Sequence, residues 1–145
     1  MDDKKIYNKI QDRPIINIPN QVKIDKHLEN LELLLRVFSG DLGLTRLHKA
    51  ILQNDQESII KLIRSEIRID AQDSYGMTAL HYTVIKADIE IIEILLKAGA
   101  NTEISDKIIG FTPLNYAFYQ ENSKIATLLI QAGANEDNII KIKKR

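Results

Sequence analysis

Apolar residues recur at helical spacing along most of the chain after residue 24. The first series begins behind Asp25, a candidate helix N-cap, and stops before Gly40. Its apolar members are Leu28, Leu31, Leu34, Leu35 and Phe38. This spacing predicts an amphipathic helix over residues 25–38. Residues 1–24 hold two prolines and scattered isoleucines without a sustained period, which predicts a poorly ordered or extended arm.

Downstream, the apolar positions form pairs of short helical segments that occur three times. In the second pair, Leu80 and Val84 lie four residues apart behind Thr78, which suits an N-cap. The equivalent residues are Leu47 with Ile51 and Leu114 with Phe118; the partner segments contain Ile59, Leu62 and Ile63, then Ile91, Ile92, Leu95 and Leu96, then Ile125, Ala126, Leu129 and Ile130. The residues that end the partner segments are Glu66, Gly99 and Gly133. Glycine favours the left-handed conformation of a helix end, so Glu66 is the exception.

A short motif marks the start of each pair. Its three copies are Gly43-Leu44-Thr45-Arg46-Leu47-His48, Gly76-Met77-Thr78-Ala79-Leu80-His81 and Gly110-Phe111-Thr112-Pro113-Leu114-Asn115. They begin 33 and 34 residues apart, a period typical of stacked helical units. Asp73 and Asp106, which precede the last two copies, are 33 apart, so the third turn holds one extra residue. We expect that turn to bulge near Ile108 and Ile109.

The recurring Gly-x-Thr-x-Leu-His opening and the Leu-Leu-Lys-Ala-Gly-Ala-Asn closing at 95–101 resemble the ankyrin repeat, over about residues 40–138. The resemblance implies an all-α solenoid of stacked helix-turn-helix units with short turns or β-hairpin-like fingers. It also implies that the histidines tie their turns to neighbouring backbone. The chain departs from the family pattern at Arg46 and Ala79 in place of proline, at Asn115 in place of histidine, and at Thr83 in place of alanine.

The predicted organisation has six parts. They are a poorly ordered arm at 1–24, a capping helix at 25–39, a degenerate repeat at 40–72, a second repeat at 73–105, a third repeat with the inserted turn residue at 106–138, and a basic tail at 139–145. The capping helix is expected because a terminal unit needs a polar outer face or a cover. In the tail, isoleucines alternate with basic residues, which favours a cap and leaves self-association as the alternative.

Composition narrows the range of functions. Twenty basic and twenty acidic residues cancel, so the chain has no net field to attract nucleic acid or an anionic membrane. It contains no cysteine, and neither a signal peptide nor a membrane-spanning run is apparent. We expect a cytoplasmic protein, with signal-less secretion left open. Heavy use of Ile, Lys and Asn is typical of AT-rich intracellular bacteria, for which a host protein is a candidate partner.

Candidate chemistry is sparse. His48 and His81 occupy the same repeat position, which favours a structural role, and the pattern supplies no third ligand for a metal. The serines lie in no nucleophile motif, and the glycines are spaced by the repeat and do not form a phosphate-binding loop. We therefore predict no enzymatic activity, no cofactor and no metal site. An enzyme that uses the two histidines remains a competing hypothesis.

A protein-binding surface is the leading functional prediction. In ankyrin repeats the variable positions lie in the turn before the first helix and on its exposed side. Transferred to this chain, the candidate partner-binding residues are Leu44, Tyr75, Met77, Ile85, Lys86, Ile108, Ile109, Phe111, Tyr119 and Gln120. Residues after the turn glycine can instead pack between units, which leaves a stabilising role open for Met77 and Phe111. The expected state is a monomer, and assembly through the C-terminal isoleucines is the alternative.

Overall fold

The computed structural model describes residues 42–140, and these form three consecutive helix pairs. The helices are α1 Arg46–Leu52, α2 Gln56–Arg64, α3 Ala79–Ile85, α4 Ile89–Lys97, α5 Pro113–Tyr119 and α6 Ser123–Gln131, followed by a 3-10 turn at Glu136–Asn138. Within 42–140 there is no strand, so the predicted all-α repeat architecture is confirmed. The predicted arm at 1–24, the capping helix at 25–39 and the last five tail residues lie outside the described residues.

A polar side chain precedes each helix. Threonine stands before α1, α3 and α5, and aspartate or asparagine stands before α2, α4 and α6. Asp55, Asp88 and Asn122 each accept a hydrogen bond from the backbone N–H three residues on, at 3.0–3.2 Å. These bonds satisfy N–H groups that the helix itself leaves unpaired. The helix starts thus follow from the sequence pattern.

All six helices end in a residue with left-handed backbone. At the end of α3, the N–H of Ala87 donates to the Val84 carbonyl and the N–H of Asp88 donates to the Thr83 carbonyl. This pair of bonds is the Schellman arrangement. The six left-handed residues are Asn54, Glu66, Ala87, Gly99, Glu121 and Gly133, with φ between 55° and 102°. Asp88 also caps α4, so each helix pair is joined by a three-residue turn.

The core runs through all three units without interruption. Leu47, Leu80 and Leu114 are at most 2% exposed, and Leu95 is completely buried. The first helices of neighbouring units, α1 with α3 and α3 with α5, pack against one another. One unit alone could not bury these faces, so stability is shared between neighbours. This continuity matches the predicted stacking.

The turn before each first helix projects from the stack, and we call residues 73–77 and 106–111 the second and third fingers. In the second finger, the Asp73 N–H donates to the Met77 carbonyl at 3.0 Å. In the third, the Asp106 N–H donates to the Phe111 carbonyl at 2.9 Å and encloses one more residue. The third finger is therefore enlarged at the predicted place.

Candidate functional site

The fingers are held to the stack by the repeated histidines. The Nδ1 atom of His81 accepts from the backbone N–H of Thr78 at 3.0 Å, so Nδ1 carries no proton. Its Nε2–H therefore donates to the Phe111 carbonyl of the next finger, at 3.0 Å. His48 repeats this arrangement with Thr45 and the Met77 carbonyl, the latter at 3.1 Å. These contacts agree with the structural role that the resemblance implied for the histidines.

Both imidazoles are held neutral. Burial lowers the pKa of His81 and of His48 below the ordinary value, against the opposing effect of Asp73 and Asp106. A protonated ring would also turn an N–H at Nδ1 toward a threonine N–H that needs an acceptor. With both nitrogens engaged in structural bonds, neither histidine offers a base to a substrate. Among the described residues, no three His, Cys, Asp or Glu side chains cluster as metal ligands would.

Each finger also has an internal brace. The Asp106 carboxylate accepts from the N–H groups of Ile108, Ile109 and Phe111 at 2.7–3.1 Å. The Tyr116 hydroxyl donates to the same carboxylate at 2.9 Å, and Tyr82 does so to Asp73 in the second finger. Burial and the adjacent carboxylate raise the pKa of both tyrosines, which keeps the hydroxyls protonated. The sequence analysis missed this brace, although Tyr82 and Tyr116 recur 34 residues apart.

The fingers also contact one another directly. The Lys107 N–H donates to the Tyr75 carbonyl at 2.8 Å, and the Ser74 N–H donates to the Leu42 carbonyl at 2.9 Å. Gly76 has a φ of 76°, and a Cβ there would come within 2.8 Å of the Lys107 nitrogen. The close approach of the fingers therefore requires glycine at this position.

Two predicted partner-binding residues instead link the units. The Lys86 ammonium donates to the Ile51 carbonyl at the end of α1, at 2.8 Å. The Gln120 amide donates in the same way to the Ile85 carbonyl at the end of α3, at 2.8 Å. Partial burial lowers the pKa of Lys86, an effect that nearby Asp88 opposes. Both side chains thus stabilise carbonyls that a helix end leaves unpaired, and their donors are used within the protein.

The structure corrects the predicted surface at two positions. Met77 and Phe111 have no exposed area, so they cannot contact a partner. Phe111 instead packs edge-on against Tyr116, with the ring centres 5.2 Å apart. The residue after the turn glycine points into the stack, where burial of apolar area outweighs display. The alternative of a stabilising role was therefore the correct one for both residues.

The remaining candidates lie on the finger side of the stack. Ile108 is the only large apolar side chain among residues 42–140 that is classed as exposed, at 39%. Leu44, Tyr75, Ile85, Ile109 and Tyr119 are half-buried. Tyr119 packs beside Phe111, with ring centres 6.5 Å apart. The part of the ridge open to a partner is thus Ile108 at the tip of the third finger, flanked by partly covered apolar and aromatic side chains.

A further row of contacts lies at the ends of the second helices. The Asp70 carboxylate accepts from the Asn101 N–H at 2.8 Å, and the Glu103 carboxylate accepts from the Asn135 N–H at 2.9 Å. The sequence analysis assigned no role to Asp70 or Glu103. Their spacing of 33 residues was the available signal. No helix in the described part of the chain is long and apolar enough to cross a membrane.

Curated relatives match part of the chain. Inversin of Gallus gallus is 36% identical over 73 residues, which are 49% of this chain and 6% of that protein. The putative ankyrin repeat protein FPV219 of fowlpox virus (strain NVSL) is 36% identical over 62 residues, 43% of this chain and 14% of that protein. The chain thus spans only a small fraction of the length of these two relatives.

Solved structures share the fold. The ankyrin repeat domain of Bcl-3, a member of the IkappaB protein family, superposes with a TM-score of 0.62 at 28% identity, covering 66% of this chain and 42% of that one. A chain in the complex of the Bdellovibrio bacteriovorus predatory endopeptidase Bd0816 with the immunity protein Bd3460 gives a TM-score of 0.60 at 30% identity, covering 70% of this chain and 53% of that one. The family model described as "Ankyrin repeats (3 copies)" matches residues 22–106 and 47–139. The motifs, the stacked helix pairs and this match together show that the chain belongs to the ankyrin-repeat family.

Proposed function

We propose that the protein is a non-catalytic binding module that presents its finger side to a protein partner. Ankyrin repeats are generally protein–protein interaction modules, and the family is generally non-catalytic. The observation that carries the proposal is the exposed Ile108 at the tip of the enlarged third finger. Exposed apolar side chains next to aromatic residues are common at interfaces.

Preorganisation supports this assignment. The third finger is held from inside by Asp106 and from the preceding unit by His81. A partner would therefore meet Ile108 in a fixed position and would lose little chain entropy on ordering the finger. The proposed contact residues are Leu44, Tyr75, Ile85, Ile108, Ile109 and Tyr119. Lys86 and Gln120 support the surface by holding the ends of α1 and α3.

The test is affinity capture with paired variants of the full chain. Ile108→Ser alters the fingertip, and Tyr75→Ser with Tyr119→Ser alters its flanks. Glu93→Ser on the exposed side of α4 is the matched control. We expect the same specific protein to be retained by the wild type and the control and lost by the finger variants, while the helical circular dichroism signal stays unchanged. Equal capture by all four proteins would rule out the finger side as the binding surface.

We also propose that the C-terminal isoleucines cap the third unit and do not join copies of the chain. Ile139 is 8% exposed and lies in the core, and the Ile140 N–H donates to the Asn115 side chain at 2.7 Å. An apolar side chain that is already buried adds little to association. Light scattering over a range of concentrations should report monomers for the full chain. Growth of the scattering mass in the full chain, abolished in a 1–138 variant, would favour the assembly hypothesis instead.

The compartment and the kind of partner follow as proposals of the same standing. The balanced charge and the absence of cysteine support a cytoplasmic protein, and the composition supports a bacterial source with a host protein as partner. The six-part organisation, including a capping helix at 25–39, is likewise proposed. Localisation of a tagged full chain in its source cells would test the first of these.

A further inference from the structure

An open groove of about 410 Å³ lies between α1 and α2 in the first unit. Its better buried lining includes Ala50, Ser58 and Leu62. Exposed Arg46, Lys49 and Lys61 also line it. We call the side of the first unit that carries this groove its front face.

Equivalent positions in the later units show what this face normally contacts. The position of Lys49 is Tyr82 in the second unit and Tyr116 in the third. Tyr82 packs edge-on against His48 of the preceding unit, with ring centres 5.4 Å apart, so the position faces the preceding neighbour. Lys61 likewise takes the place of Ile94. The front face therefore has cations where later units have partly or fully buried apolar side chains.

A regular repeat unit is a poor occupant for such a face. Its apolar surface would bury the ammonium groups of Lys49 and Lys61 without partners, which is costly. Leu62, however, is half-buried, whereas its equivalents Leu95 and Leu129 are fully buried. A suitable occupant is apolar along one line, to cover Leu62, and acidic beside it.

Residues 25–38 have this chemistry. Leucines at helical spacing supply an apolar line, and Glu29 and Glu32 lie three residues apart beside it. The family match begins at residue 22, so the repeat-like sequence extends over this segment. The segment carries acidic groups and the groove carries three cations, so the two are electrostatically complementary.

The length of the connection places this segment near the groove. The Leu42 carbonyl accepts from the Ser74 N–H, which fixes residue 42 beside the second finger. Only residues 39–41 separate Phe38 from that point, so the two ends are at most about 14 Å apart. Seven residues, 39–45, precede α1, compared with fourteen, 65–78, between α2 and α3. A helix over 25–38 would be about 21 Å long, enough to cross the front face.

We propose that residues 25–38 dock as a single helix in the groove between α1 and α2 of the same chain. The leucine line covers Ala50 and Leu62, and Glu29 and Glu32 lie beside the cations. One helix thereby replaces a whole unit at this end of the stack. This inference is independent of the proposed partner surface on the fingers.

Cysteine cross-linking of the full chain tests the docking, because the natural sequence contains no cysteine. Glu32→Cys is combined with Lys61→Cys in the groove, or with Lys124→Cys on α6 as the control. A short bismaleimide should link the first pair within one chain and leave the second pair unlinked. Linked dimers would mean that a second copy fills the groove. Such dimers, or no link in the first pair, would overturn the proposal.

Charge exchange gives a second test that does not depend on cross-linking. Lys49→Glu with Lys61→Glu, and separately Glu29→Lys with Glu32→Lys, should each lower the urea midpoint of the full chain. All four changes together should restore at least half of the larger loss, and high salt should reduce the differences. Losses that simply add in the four-fold variant would contradict docking between these charges.

Discussion

Ala87 offers a way to measure the strain at a helix end. Its φ is 56°, in the left-handed region, where an L-residue crowds its own backbone. The conformation is held by the bond from the Ala87 N–H to the Val84 carbonyl. The side chain is exposed and consists of a methyl group alone, so replacing it with glycine removes almost no packing. The change in unfolding free energy should therefore report the backbone.

The magnitude follows from two opposing effects. Left-handed backbone costs an L-residue about 1–2 kcal/mol, and glycine avoids this cost. Glycine loses more conformational entropy on folding, which opposes the gain by about 0.5–1 kcal/mol. We expect Ala87→Gly to stabilise the protein by about 0.5–1 kcal/mol. Glu121→Gly, at the equivalent residue of the third unit, should have the same sign.

Urea unfolding followed by circular dichroism measures the effect. A denaturant slope of about 1–3 kcal/mol per molar makes the expected midpoint rise a few tenths molar. Asn54→Gly is the matched control, since asparagine tolerates left-handed backbone and little gain is expected. Gly99→Ala provides the reverse experiment, because an added Cβ meets no atom within 4 Å, and it should destabilise. A fall in the midpoint of Ala87→Gly, or an equal rise in Asn54→Gly, would refute the reasoning.

Three further changes probe the core, the fingers and the histidines. Leu95→Ala removes a completely buried side chain and should cost about 2–5 kcal/mol in a urea melt; a loss below about 1 kcal/mol would contradict its stacking role. Tyr116→Phe leaves the buried Asp106 carboxylate without one donor and should cost about 1–3 kcal/mol by thermal unfolding, whereas an unchanged melt would mean that the brace is unimportant. Burial lowers the pKa of His48 and His81 when folded, so below about pH 6.5 the unfolded chain binds more protons. Stability should therefore fall as the pH drops through that value, and His81→Gln should make the dependence less steep; equal slopes would exclude His81 as a contributor.

The sequence predicted the parts of the fold that depend on local pattern. Helix starts at Thr45 and Thr112, the period, and the extra turn residue near Ile108 all follow from residue type and spacing. The position of Glu66 at a helix end was also visible, although its left-handed φ of 55° required the structure.

The binding surface was harder to predict, because exposure depends on the neighbouring unit. Met77 and Phe111 occupy variable positions of the family but are covered by packing between units. Lys86 and Gln120 lie on the predicted face, yet helix-end carbonyls of the preceding unit use their donors. These contacts join residues 34–35 positions apart, so a periodic sequence places them together only when the stacking geometry is known.

The rows of hydrogen bonds between units have a consequence for how such a chain can evolve. The second unit carries both halves of each row: His81 donates forward while Met77 accepts from behind, and Glu103 accepts forward while Asn101 donates behind. A tandem duplication of residues 73–105 would therefore supply each new copy with matching groups on both sides. The third unit differs, because Asn115 accepts a backbone N–H where histidine donates to a carbonyl. Lengthening by duplication should thus be tolerated in the middle of this array more readily than at its third unit.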